Sequence, residues 1–145
     1  MFEKFGNFNS AEEINMSADG LFNEGDMDSL KELAKENGLG DVVDGYIEGM
    51  FSPLCDPTTA AIGKLEVEAA DMKISELMED WVEYIKCLCF DDEKIALNVR
   101  KADKSLEGCI AELLKWAFAH QNPIDDKIKK AAKLSRSKPF RWKNV

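Results

Sequence analysis

Four carboxylates crowd one side of a stretch predicted to be helical, and no other residues in the chain come closer by type and spacing to a chemical site. They are Glu76, Glu79, Asp80 and Glu83. At about 100° per residue they fall within an arc of about 100°, opposite an apolar half. Acid–base catalysis by paired carboxylates needs an apolar environment that raises one pKa, and none flanks these four. The spacing therefore favours a solvated helix face or a binding surface for a basic partner.

The cysteines and the single histidine do not form a predicted metal or nucleophile site. Cys87 and Cys89 are two positions apart, so a helix points them in nearly opposite directions. Cys109 and His120 are eleven residues apart, which is roughly 16 Å along a helix axis. We expect free thiols, no bound metal, no cofactor and no enzymatic activity.

Charge is distributed unevenly along the 145 residues. Residues 1–83 carry a net charge of −15, residues 84–123 are neutral, and residues 124–145 carry +6. An acidic body can simply aid solubility, or it can compete for a basic groove that otherwise holds nucleic acid.

The basic end of the chain interleaves cations with aromatic rings, a mixture suited to phosphate contact and base stacking. The residues in question are Arg136, Lys138, Phe140, Arg141, Trp142 and Lys143. The same residues are equally suited to contact with the acidic body. We therefore divide the chain into a helical domain, 1–134, and a basic C-terminal tail, 135–145.

Periodicity predicts an all-α fold, a single compact domain of about six to seven short helices around a central apolar helix. That central helix is predicted from Ser105, an N-cap, to Gln121, ahead of the Asn122–Pro123 stop. Other start signals are a Ser10/Glu13 capping box, Asp26, Asp41, Asp56–Pro57, Ser75 and Asp91–Asp92, and a last helix begins near Asp125. Gly63 is expected to weaken its helix.

The helix after Ser75 has the clearest division into two faces. Its apolar half is predicted to hold Leu77, Met78, Trp81, Val82, Tyr84, Ile85, Leu88 and Cys89. No apolar run in the sequence reaches the roughly 20 residues of a membrane span, and the opening MFEKFGNFNS lacks the pattern of a signal peptide. We expect a cytoplasmic protein with no membrane association.

Several segments resemble a family of small proteins from mobile elements of gut Firmicutes, which is similar to type II-A anti-CRISPR proteins. They are FEKFGNFNSAEEIN, LFNEGDMDSLKELAKENG, AAIGKLEVEA with EDWVEYI, and KSLEGCIAELLKWAF followed by QNPID. The likeness covers roughly residues 2–134, and the chain departs from it by ending in SRSKPFRWKNV instead of a glycine-rich segment. The resemblance implies an inhibitor of the RNA-guided CRISPR nuclease, and it supplies no binding residues.

These observations lead to one main hypothesis and two alternatives. The main one is a non-enzymatic inhibitor that binds a CRISPR effector nuclease, or its guide-RNA complex, through Glu76, Glu79, Asp80 and Glu83, with Glu66 and Glu68 as neighbours. The first alternative is a DNA-binding accessory protein of a conjugative or mobile element that uses the basic tail. The second is a helical interaction protein with no CRISPR role.

Overall fold

The computed structural model describes residues 2–120 and 125–131, and all regular secondary structure in these ranges is helical. These described ranges contain eight helices: α1 (Ala11–Glu24), α2 (Met27–Glu36), α3 (Gly40–Ile47), α4 (Pro57–Asp71), α5 (Glu76–Asp91), α6 (Glu93–Arg100), α7 (Leu106–Ala119) and α8 (Asp126–Ala131). The prediction of an all-α fold is confirmed. The predicted boundary between residues 134 and 135 lies outside the described residues.

Local capping signals explain where most helices begin. The side chains of Ser10, Asp26, Asp56 and Ser75 each accept a hydrogen bond from a backbone N–H in the first turn of the helix that follows. Asp92 is both the C-cap of α5 and the N-cap of α6, so a single residue joins these two helices. The third helix differs from the prediction, because it begins at Gly40 and has no side-chain cap.

The helices divide into two units, one that extends to Ala111 and one that starts at Glu112. In the first unit, α1, α2 and α3 enclose an apolar cluster that includes Ile14, Leu30 and Leu33, each with no exposed surface. Leu54, Cys55 and Ala60 extend this cluster to the start of α4.

Helix α4 is the best-buried helix of the first unit. It packs against α5 and α6, and its Gly63 lies against the backbone at the end of α2, where Gly38 adopts a φ of +72°. A side chain at either glycine would collide with backbone atoms of the other segment. Absence of side chains therefore lets α4 approach α2 closely.

The central role predicted for α7 is not confirmed. Leu106 and Ile110 are its buried residues. Leu113 is 42% exposed and Trp116 is 63% exposed, although both were expected on a packed face. The second unit contains the rest of α7 and also α8, whose Ile128 is exposed.

Candidate interaction surface and the buried network beside it

The four carboxylates of the predicted site all lie on the exposed side of α5. Glu76, Glu79, Asp80 and Glu83 are exposed, and within the described residues Glu83 alone forms an ion pair. Ser75 caps the helix by accepting a hydrogen bond from the Met78 N–H at 3.4 Å. Acidic side chains are favourable in this first turn because they oppose the positive end of the helix dipole. We call the four residues the acidic face.

Two aromatic rings lie on the same side of α5 as the acidic face. Tyr84 is 65% exposed and Phe90 is 71% exposed. Helical spacing places both within about 140° of one another and of the carboxylates. The prediction that Tyr84 belongs to the buried half was wrong, and Leu77 is also 40% exposed. The buried strip of α5 is narrower than its apolar pattern, since α4 and α6 cover only the side that carries Val82 and Cys89.

Lys86 marks one edge of the acidic face and joins it to α4. Its ammonium lies 3.0 Å from the Glu83 carboxylate and 3.6 Å from that of Glu66. Its side chain is only 17% exposed, while those of Glu66 and Glu83 are 51% and 69% exposed. Glu66 lies next to the acidic face, and Lys86 offsets part of the charge at this edge.

Glu68 does not belong to this surface, which corrects its assignment as a neighbour of the partner-binding residues. It is 6% exposed. One carboxylate oxygen accepts a hydrogen bond from the Leu106 N–H at 2.6 Å, and the other lies 3.8 Å from the ammonium of Lys64. Its carboxylate is committed to the start of α7 and to a buried cation, so a partner at the acidic face would not reach it.

Lys64 is a buried lysine that holds the connection between α6 and α7. It is 1% exposed, and its ammonium donates to the carbonyl oxygens of Val99, Lys101 and Lys104 at 3.0, 2.5 and 2.6 Å. Burial lowers the pKa of Lys64, and the nearby Glu68 carboxylate acts in the opposite direction. These carbonyls occupy all three ammonium hydrogens, so Lys64 is equipped for a structural role.

Arg100 is a second buried cation, at the end of α6. It is 1% exposed and donates to Asn7 Oδ1 at 3.1 Å, to the Phe8 carbonyl at 2.9 Å and to Asn37 Oδ1 at 2.8 Å. Burial is the main cause of the lowered pKa of Arg100. The guanidinium therefore joins the start of the chain, the end of α2 and the end of α6.

This network was missed at the level of sequence, although one signal was present. Lys64 and Glu68 are at i,i+4 spacing in a helix that is otherwise rich in alanine, a pattern that also fits an ordinary surface ion pair. Arg100 and Asn37 are 63 positions apart, and no local pattern connects them.

The remaining candidate residues are those of the basic tail and the histidine that follows α7. The six cationic and aromatic residues of the tail, Arg136, Lys138, Phe140, Arg141, Trp142 and Lys143, lie outside the described residues. Directly after α7, the His120 ring stacks on Trp116 with centroids 4.8 Å apart, and its Nδ1 lies 2.9 Å from the Trp116 carbonyl oxygen. His120 thus has a local packing partner.

In residues 2–120 and 125–131, no group of three or more His, Cys, Asp or Glu side chains is arranged to hold a metal ion. No helix in the part of the chain that the structure describes is long and apolar enough to cross a membrane.

Comparison with known proteins adds no relative. No protein-family model matches the chain, and no curated protein or solved structure matches it either. The acidic face and the two exposed rings must therefore be interpreted from their own chemistry.

Proposed function

We propose that this protein is a non-enzymatic inhibitor that binds a type II CRISPR effector nuclease, or its guide-RNA complex, through the acidic face of α5. The observation that carries the proposal is the exposed grouping of Glu76, Glu79, Asp80 and Glu83 beside Tyr84 and Phe90. The choice of a CRISPR nuclease as partner comes from the resemblance of the sequence to type II-A anti-CRISPR proteins.

The charge of the face favours a basic partner. Like charges at i,i+3 and i,i+4 oppose helix formation by a few tenths of a kcal/mol per pair, and cations from a partner would relieve this repulsion. RNA-guided nucleases hold their heteroduplex in a positively charged channel. An acidic protein that occupies such a channel excludes nucleic acid by charge, without chemistry of its own.

The exposed rings favour a protein as the partner. Tyrosine and phenylalanine are enriched at the centres of protein interfaces, where a few aromatic side chains supply much of the binding free energy. Tyr84 also has a hydroxyl at the end of an apolar ring. In an interface the ring can be buried while the hydroxyl keeps a hydrogen bond to water or to the partner. Carboxylates would orient the complex, and the rings would supply buried area.

The central experiment is a DNA-cleavage assay with type II-A nucleases, paired with co-elution of the two proteins. The test variant changes Glu76, Glu79, Asp80 and Glu83 to lysine. Because close charge pairs across an interface contribute from about 1.5 kcal/mol upward, we expect binding to weaken by at least about a hundredfold. Circular dichroism establishes that the variant is folded.

A control with the same change of charge separates the acidic face from the overall acidity of the chain. It changes Glu24, Asp41, Asp44 and Glu48, which are all exposed and belong to α1, α3 or the residue after α3, to lysine. We expect the control to retain most of its inhibition. Equal loss in both variants would refute a role for α5 in particular, as would full inhibition by the folded test variant.

The rings are tested separately from the carboxylates. Because Tyr84 and Phe90 are exposed, changing both to alanine should leave stability nearly unchanged. Truncation of an aromatic hot spot costs about 2 kcal/mol or more, so we expect at least about tenfold weaker binding. Absence of both inhibition and co-elution for the unaltered protein, across several type II-A nucleases, would remove the CRISPR proposal and leave a helical protein with another partner.

A further inference from the structure

The first residues of the chain run across two parts of the first unit that are distant in sequence. The backbone N–H of Lys4 donates to Glu36 at 2.9 Å, and the ammonium of Lys4 pairs with Glu32, so this end is held by α2. Further along, Asn7 and Asn9 reach the turn between α6 and α7. The segment therefore links α2 to the α6–α7 turn.

The two asparagines hold Ala102 through its backbone carbonyl and its backbone N–H. The Asn7 amide donates to the Ala102 carbonyl at 3.2 Å, and the Ala102 N–H donates to Asn9 Oδ1 at 3.1 Å. Asn7 also accepts a hydrogen bond from Arg100 through its own Oδ1. One exposed asparagine thus connects a buried guanidinium to the turn that follows it.

Arg100 depends on this segment for most of its hydrogen bonds. Two of its three acceptors, Asn7 Oδ1 and the Phe8 carbonyl, belong to the segment, and the Phe2 ring lies 5.7 Å from the guanidinium carbon. Arg100 Nε is buried and has no hydrogen-bond partner. Loss of an acceptor from a buried guanidinium costs free energy. Release of one of these contacts therefore destabilises the others.

The opposite side of the same turn is held by α4. Lys64 binds the carbonyls of Lys101 and Lys104, and Glu68 binds the Leu106 N–H. Lys64 and Glu68 are buried, whereas the contacts of Asn7 and Asn9 with Ala102 are exposed. Elements held by exposed hydrogen bonds open at lower free energy than buried ones.

We propose that residues 2–9 form an N-terminal clasp that opens and closes over the α6–α7 turn as one unit, with Arg100 as the group that couples its contacts, while α4 keeps the other side of the turn in place. Opening uncovers a guanidinium that is otherwise buried. Any partner that binds residues 2–9 would thereby expose a cation at the end of α6. The proposal does not depend on the function proposed above.

The test is hydrogen exchange of single amides in the full chain, followed by NMR. Asn7→Ala removes the contacts to Arg100 and Ala102. It leaves in place the acceptors of three backbone N–H groups, which are Glu36 for Lys4, Asn9 for Ala102 and Glu68 for Leu106. Because hydrogen bonds to charged groups are among the stronger ones, we expect exchange at Lys4 and Ala102 to accelerate together by about tenfold or more. Exchange at Leu106 should stay unchanged.

A control and a second variant make the result decisive. Asn98→Ala removes an exposed contact within α6, from Asn98 Nδ2 to the Lys94 carbonyl, and should alter none of the three rates. Unchanged exchange at Lys4 in the Asn7→Ala protein would overturn the proposal, because the contacts would then be independent. If Asn7→Ala fails to fold, Asn9→Ala asks the same question at Lys4.

A chemical probe reports the opening directly. Phenylglyoxal modifies arginine side chains that it can reach, and Arg100 is 1% exposed. We expect modification of Arg100, located by mass spectrometry, to be about tenfold faster or more in Asn7→Ala than in the unaltered protein or in Asn98→Ala. Equal rates in all three proteins would contradict an opening that is controlled by the clasp.

Discussion

Replacement of Gly63 by alanine is a direct test of the close approach between α4 and α2. Alanine at a helix interior is normally about 1 kcal/mol more favourable than glycine, so local propensity predicts a gain in stability. The structure predicts the opposite. A Cβ at residue 63 would lie 2.4 Å from the Asn37 carbonyl oxygen and 3.1 Å from that of Gly38.

The size of the expected loss of stability depends on which atoms would have to move to admit the new Cβ. The colliding atoms are backbone atoms, which cannot rotate away as the end of a side chain can, and Asn37 is itself fixed by Arg100. Overpacking of a rigid core costs about 1–3 kcal/mol or more. Because the collision is with backbone atoms, the upper end of this range applies, about 3 kcal/mol. After subtraction of the gain in propensity of about 1 kcal/mol, we expect Gly63→Ala to lower the free energy of unfolding by about 2 kcal/mol.

Urea denaturation measures this change, and Gly20→Ala provides the matched control. Gly20 is inside α1, and a Cβ there meets no atom within 4 Å, so it should stabilise by about 0.5–1 kcal/mol. We therefore expect opposite shifts of the urea midpoint for two identical substitutions. If Gly63→Ala shifts the midpoint upward as Gly20→Ala does, the close contact between α4 and α2 is refuted.

Two further predictions concern buried ionisable groups. Burial raises the pKa of the Cys55 thiol from its ordinary value of 9.0 to about 12. The unfolded chain therefore releases this proton first, so the stability that Cys55 contributes is complete below pH 9 and is lost as pH rises toward 12. Urea denaturation under reducing conditions should therefore show a shallower alkaline loss in Cys55→Ala, by up to about 1.4 kcal/mol per pH unit, and identical pH profiles would contradict it. Glu68→Gln leaves Lys64 without its carboxylate and should destabilise by about 3 kcal/mol at pH 7, whereas the exposed Glu66→Gln should change the urea midpoint little; equal effects would show that Glu68 is not the buried partner.

The parts of the fold that sequence predicts are those controlled by neighbours in the chain. Ser10, Asp26, Asp56 and Ser75 cap their helices as expected, because a cap needs only its own side chain and the next three backbone amides. Gly25 ends α1 with a φ of +76° for the same reason. Helix boundaries set in this way do not depend on how the helices pack.

The packing of the helices could not be predicted from the sequence, because it depends on residues that are far apart in the chain. Gly63 looks like a weak point in a helix until Gly38 is placed against it, and Lys64 looks like a solvated lysine until the carbonyls of residues 99–104 surround it. Arg100 is a similar case, since its three acceptors are 63 to 93 positions away. Period and propensity describe one helix at a time and contain no information about such partners.

The surface of α5 also has one feature that a single helix determines and one that depends on packing. The arc of carboxylates on α5 was predictable, since it is a property of one helix, but the width of the exposed strip was set by α4 and α6. Helical spacing placed Tyr84 at the border between the two faces, and only packing could decide on which side it belonged. Its exposure changes the surface from a charged face to a charged face with an aromatic anchor.

Two lysines already pair with some of the acidic residues of this region, and the others are available to a binding partner. Lys64 takes Glu68 into the interior, and Lys86 takes part of the charge of Glu66 and Glu83 at the edge of the face. The carboxylates left without an ion pair among the described residues are at the start of α5, and they are Glu76, Glu79 and Asp80. A basic partner would gain most from these three, because an ion pair already present has to be loosened before its carboxylate can serve another cation. Within the acidic face, the first turns of α5 are therefore where charge reversal should weaken binding most per residue, and Glu83 is where it should weaken binding least.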